Sequence, residues 1–177
     1  YTAPERLEGI LVTHEHTDHV SGAVRTAAKY RIPLIGNSAT LQAIPGAEAV
    51  STRVLECGEQ AEIGGMLVRP FSTCHDAVCP VGYSIESSGA LVVSATDTGI
   101  VPPAMWSEAF DADLLILESN HDSEMLRQGP YPLFLKRRIA GEQGHLSNDD
   151  AALLLMDLAD AGRSVSVWLA HLSQTNN

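Results

Sequence analysis

The stretch Leu11–Gly22, LVTHEHTDHVSG, places three histidines and an aspartate within the six positions His14 to His19. The whole chain has seven histidines. Ordinary structural uses of histidine need no such crowding, whereas a metal site needs converging imidazoles and carboxylates. In an extended segment residues two apart face the same side, so His14 and His16 can share one ligand point. Asp18 and His19 follow as the backbone turns into a helix and can aim at a second point nearby. The short apolar run EGILV just before reads as a buried strand that delivers the cluster.

Such a cluster is half of a binuclear site, and the other half must come from later strand ends. The candidates are His75 after VRPFSTC, Asp97 after LVVSAT and His171 after VSVWLA, each following a β-rich apolar run. Taken singly, a strand-end histidine is more often a hydrogen-bonded surface residue than a ligand. Taken with the cluster, the set supplies ligands for two divalent ions, zinc or manganese. Asp97 is the candidate bridge, because only a carboxylate or a solvent oxygen can serve both ions.

Composition bounds the rest. The 177 residues are 45% hydrophobic, enough for one domain, residues 1–177, with a sizeable core. No apolar run is long enough for a membrane helix and no basic-then-apolar signal opens the chain, so no membrane partner is expected. Cys57, Cys74 and Cys79 are an odd set without a CxxC. They read as free thiols in a reducing cytoplasm rather than a disulfide framework or a zinc knuckle. The formal charge of −11 suits polyanions poorly, although bound divalent cations would return part of it. The chain opens on Tyr1 rather than Met, which suggests a fragment or a processed form.

Along the chain, a helix is expected from Asp18 to Tyr30, then a strand in RIPLIGN and a short helix in SATLQAI. Hairpins are expected at Gly64-Gly65 and near Ser88-Gly89. A helical step PPAMWSEAF precedes the strand DADLLILES, and SEMLRQG and PLFLKRRIA read as short helices. SNDDAALLLMDLADAG is an amphipathic helix with a capping-box-like start at Ser147 and Asp150 and a stop at Gly162. SVSVWLAHL is the last strand. Strand pairs and helices around apolar strands give an α/β layered domain.

HxHxDH followed by separate His, Asp and His motifs resembles the metallo-β-lactamase fold hydrolases. THEHTDHVSG, HDAVCPVGYSIE, ATDTG, LESNHDSEMLRQGPYPLFLKRRIAGEQGHLSN and LAHLSQTNN look closer still to the bacterial YycJ/WalJ/VicX branch. The resemblance spans nearly the whole chain and implies an αββα sandwich with metals at one edge. It implies that His14, His16 and His75 hold one metal, that Asp18, His19 and His171 hold the second, and that Asp97 bridges. The family domain normally has a leading hairpin and more chain after SQTNN, so a sandwich shortened at both ends is expected.

Di-iron flavoproteins of this fold place a glutamate where His16 stands, which argues for hydrolysis here. Mononuclear-iron sulfur dioxygenases keep HxHxDH, so a non-hydrolytic iron dioxygenase is one rival. A hydrolase of small esters, lactones, thioesters or cyclic nucleotides is another. Glu118 at the end of LLILE and His145 in GHLSN resemble the ribonuclease Z arrangement, a carboxylate–histidine pair that protonates the leaving group. Against it stands a plain helix start at His145 and a strand cap at Glu118.

The branch is linked to DNA exonuclease-type activity, so the expected substrate is nucleic acid, DNA ahead of RNA. A metal-bridging hydroxide, oriented by Asp18, would attack phosphorus. Lys136, Arg137 and Arg138 in LKRRIAG are either a phosphate grip or a solvated helix face. Asn120 and His121, directly after Glu118, are candidates to line the pocket, with an ordinary loop role for His121 equally open. Oligomeric state is left open.

Overall fold

A computed structural model describes Ala3 and residues 6–177; Tyr1 lies outside the described residues. Two sheets stack with helices on both outer faces. The first holds β1 (Ile10–Leu11), β2 (Leu34–Gly36) and β3 (Thr52–Val54), all parallel. The second has six strands in sequential order: β4 (Ala61–Ile63), β5 (Met66–Ser72), β6 (Val81–Ser87), β7 (Ala90–Ala95), β8 (Leu114–Glu118) and β9 (Ser166–Ala170). It is antiparallel from β4 to β7 and parallel from β7 to β9.

Three apolar clusters make the layers. Ile35, Leu55, Ile63, Val68, Val81 and Tyr83 fill the space between the sheets. Val12, Val20, Ala27, Leu34 and Leu41 pack the outer face of the small sheet under α1 (Thr17–Val20), α2 (Ala23–Tyr30) and α3 (Ser38–Ala43). Val93, Leu115, Leu117, Met105, Leu154 and Leu158 pack the other outer face under α4 (Pro103–Asp111) and α7 (Asn148–Asp160). The expected αββα order is present. Two short helices, α5 (Ser123–Gln128) and α6 (Leu133–Ile139), cover the edge after β8.

Caps fix where helices begin. Ser147 Oγ accepts the Asp150 amide at 3.0 Å and donates to the Asp150 carboxylate at 2.6 Å, the reciprocal start expected of α7. Asn37 and Asp122 cap α3 and α5 through one bond each, accepting the amides of Thr40 and Met125. Gly162, just past α7, takes the left-handed φ of 79° that glycine tolerates. The helix expected from Asp18 to Tyr30 is instead two, broken at Ser21-Gly22, where two poor helix formers meet. Strand β3 has no counterpart in the sequence reading: its three residues are all exposed and show no alternation. It exists only because β2 offers it a parallel partner.

Topology positions the site. Strands β5, β7, β8 and β9 run the same way, so their C-terminal ends reach one edge, bringing His75, Asp97, Glu118 and His171 together. β1 belongs to the other sheet and is tied in by β6: the Val81 amide donates to the Thr13 carbonyl at 3.1 Å. The buried Tyr83 hydroxyl donates to the Val12 carbonyl at 2.8 Å. Among the described residues no helix is long and apolar enough to cross a membrane.

Candidate metal centre

The Leu11–Gly22 segment leaves β1 extended and folds into α1 within a few residues, which lets three imidazoles converge. The ring centroids of His14 lie 4.6 Å from His16, 4.2 Å from His19 and 5.1 Å from His75. Donor atoms of His14, His16 and His75 approach one another within 4.8 Å, as do those of His14, His19 and Asp97, and those of Asp18, His19 and His171. Both sets of three that the resemblance implies thus lie close together, with Asp97 in reach of His14 and His19. Asp97 Oδ1 is 3.7 Å from His75 Nε2, and Oδ2 is 3.4 Å from His19 Nε2. Asp97 and His171 both sit at left-handed backbone positions, with φ of 58° and 55°. Such strain in non-glycine residues persists where the surroundings force it, and functional sites are where it concentrates.

The donor set fits a divalent metal ion on two observations. His14 Nε2 and Asp97 Oδ2 are buried yet have no hydrogen-bond partner, a costly arrangement that a cation would relieve. Burial, followed by the neighbouring His19, pushes the His14 pKa down to about 4, so the ring is neutral and its lone pair is available near pH 7. Burial likewise lowers the pKa of His75. Its Nδ1 donates to the Gly144 carbonyl at 2.9 Å, which leaves Nε2 facing the site.

Glu118 is the hub behind the site. It is fully buried, and one of its oxygens, Oε1, accepts from His145 Nδ1 at 2.9 Å and from His171 Nδ1 at 2.7 Å. Oε2 accepts the amides of Thr98 at 2.9 Å and Leu146 at 3.2 Å. Burial alone would raise its pKa; hydrogen bonds from His145, His171 and Thr98 outweigh burial and hold it at about 2. The hydrogen bond to Glu118 raises the pKa of His171. The sequence suggested the contact with His145 but gave no hint of the one with His171. Asp18 is the most exposed of the set, and backbone hydrogen bonding and the nearby histidines lower its pKa despite desolvation.

The remaining candidates separate. The Asn120 side-chain amide donates to the His171 carbonyl at 2.7 Å and so braces that strained turn. His121 is 2% exposed and lines a groove together with Lys136 and Arg137. Arg138 donates to Asp76 Oδ2 at 2.5 Å, and Asp76 Oδ1 in turn lies 3.5 Å from His75 Nε2. Asp76 was overlooked in the sequence; its one signal was adjacency to His75. The three cysteines are free thiols and none joins a donor cluster.

Gly99 carries a further positional demand. A Cβ there would meet the Gly141 carbonyl oxygen at 2.2 Å and the Glu142 carbonyl oxygen at 2.4 Å, both rigid backbone. The Asp97 turn can therefore approach the loop before His145 only if residue 99 has no side chain. Gly99→Ala is expected to cost about 1–3 kcal/mol by overpacking and to weaken metal binding. Thermal unfolding with and without chelator checks this: a wild-type melting point in both states would refute it.

The sequence profile of the beta-lactamase superfamily domain matches residues 2–168. The chain belongs to this superfamily. It is 38% identical over 175 residues to a Bacillus anthracis protein named exodeoxyribonuclease YycJ, covering 97% of this chain and 66% of that protein. It is 37% identical over 180 residues to the Streptococcus pneumoniae protein named exodeoxyribonuclease WalJ, covering 98% and 66%. The chain thus spans 66% of the length of these relatives. Among solved structures, the metallo-β-lactamase fold protein YhfI of Bacillus subtilis superposes with a TM-score of 0.75 at 17% identity, over 100% of this chain and 70% of that one. That likeness shows the fold, a metallo-β-lactamase fold of two sheets between helices.

Proposed function

We propose that this chain carries the active site of a binuclear metal-dependent phosphodiesterase acting on nucleic acid, DNA ahead of RNA, in an exonuclease-like manner. The observation that carries the reading is the Glu118–His145 hydrogen bond beside the two histidine clusters. The exodeoxyribonuclease names of relatives matched across nearly the whole chain support it. His14, His16 and His75 would hold one divalent ion, and Asp18, His19 and His171 the other, with Asp97 shared; zinc or manganese suits this donor set. The ions, when bound, supply a nucleophile active at neutral pH and positive charge for the pentacoordinate phosphorus.

The chain's own residues do the rest. Glu118 accepts the Nδ1–H of His145 and so would stabilise the imidazolium, whose Nε2–H passes to the departing oxygen and leaves the neutral ring. Glu118 also holds His171 by its Nδ1 and fixes which nitrogen is offered to the cation. Asp18, open to solvent beside His19, would orient the attacking water. One buried carboxylate thereby aligns a ligand and a proton donor together.

End-labelled single- and double-stranded DNA incubated with zinc- or manganese-loaded protein tests the reading. His145→Ala is expected to slow cleavage by about 10²–10⁴-fold while metal content stays at the wild-type level. Failure of metal-replete wild type to cleave any DNA would move the substrate to a small ester, thioester or cyclic nucleotide.

A further inference from the structure

Beside the metal centre, α5 and α6 enclose a groove of about 400 Å³. Its floor holds His121, whose Nδ1 is buried and unpartnered, and its walls include Leu126 and Leu133. Lys136 and Arg137 stand on its rim. In a chain of formal charge −11, α6 is an exception, with three cations in succession, Lys136, Arg137 and Arg138. They are not equivalent. Arg138 is spent on Asp76 at 2.5 Å. Lys136 donates to the neutral Arg127 carbonyl at 2.7 Å and keeps its charge uncompensated. Among the described residues, Arg137 makes no ion pair. Arg127, also on the wall, is neutralised by Glu124.

Two lining elements of the groove, α6 and the His121 segment, touch the segment that carries His145. The His145 amide donates to the carbonyl of Ile139, the last residue of α6, at 2.8 Å. His121 follows Glu118 by three residues and pairs with Ser147 two residues beyond His145.

We propose that this groove is a nucleotide subsite. It takes the nucleotide adjoining the scissile phosphodiester, with its phosphate on Arg137 and Lys136 and its sugar and base against Leu126 and Leu133. His121 Nδ1 offers the buried polar contact that no protein group uses. The volume suits one nucleotide unit rather than a longer segment, since small-ligand pockets begin at about 300 Å³. The proposal rests on the phosphodiesterase reading and adds to it where the polymer is held.

The test is fluorescence anisotropy with a 5′-fluorescein single-stranded oligonucleotide, first in chelator. It is repeated on zinc-loaded protein with a phosphorothioate-linked oligonucleotide. A Lys136→Glu/Arg137→Glu double variant is expected to bind about tenfold or more weaker than wild type. Its log–log salt slope should flatten by about 1.4, the value for two lost phosphate contacts on a single strand. Leu133→Asn, an uncharged change on the exposed wall, should weaken binding without flattening the slope, which separates groove contacts from bulk charge. Circular dichroism and metal content check that the variants fold.

Wild-type affinity and slope in the double variant would overturn the subsite, as would absence of oligonucleotide binding by wild type in both states. If DNA is cleaved while the groove variants bind and cleave as wild type does, the subsite fails and the nuclease reading stands. If the groove variants lose binding but metal-loaded wild type cleaves nothing, the hydrolytic reading fails and with it the groove's place beside a scissile bond, and only its binding of the strand stands.

Discussion

Asp97→Asn is expected to abolish binding of at least one of the two ions and to lower DNA cleavage by about 10³-fold or more, yet leave the chelated protein as stable as wild type. Each half follows from the position of one carboxylate. Its Oδ2 lies 3.4 Å from His19, and its Oδ1 lies 3.5 Å from His171 and 3.7 Å from both His75 and His145, so the carboxylate sits among histidines of both sets. A neutral amide offers a single weak oxygen donor to that space, so the shared ligand is lost. In the metal-free chain, however, Asp97 Oδ2 is buried without a partner, which is a cost. Asparagine removes that buried charge and tolerates the left-handed φ of 58°. Metal content by mass spectrometry, and melting points in chelator and in zinc, decide the matter. A chelated variant much less stable than wild type would mean that Asp97 is a structural residue.

Glu118→Ala is expected to be the most destabilising single change at the site. It strands four donors: the ring N–H groups of His145 and His171 and the amides of Thr98 and Leu146. Leaving buried donors unpaired costs about 1–3 kcal/mol each before relaxation, so a loss of about 3 kcal/mol or more is expected. For a domain of this size that lowers the melting point by about 6–12 °C. Glu118→Gln keeps the shape but replaces one acceptor oxygen with an NH2 that faces N–H donors, so it should recover only part of the stability. It should not recover activity, because a neutral amide aligns His145 less firmly for proton delivery.

The pH dependence follows from the same contacts. The folded pKa of Glu118 is depressed from 4.5 to about 2. Its contribution to stability is therefore fully present above about pH 4.5 and is lost as pH falls through about 2. Acid unfolding of chelated wild type and Glu118→Gln should converge at low pH. Curves that stay equally far apart from pH 7 to pH 2 would refute the role given to its charge.

Local sequence determined much of this protein. Helix α7, with its Ser147 cap and Gly162 stop, is written in the sixteen consecutive residues 147–162 because capping and helical periodicity are short-range. The hairpins at Gly64-Gly65 and Ser88-Gly89 are legible for the same reason. The donors His14, His16, Asp18 and His19 could be picked out because six residues hold them all, and the strand-end donors because apolar runs point to strand ends. Tertiary structure alone decided how those donors are held. The bonds from Glu118 to His145 and His171 join residues 27 and 53 apart, and they depend on strand order and on the register of β8 against β9. No local pattern specifies that register at the side-chain level. The division of labour in α6 is likewise invisible in LKRRIAG: three adjacent cations are chemically similar, and only the packed helix turns Arg138 to Asp76 and leaves Lys136 and Arg137 over the groove. Periodicity sets which faces are buried, whereas long-range packing sets which polar groups meet.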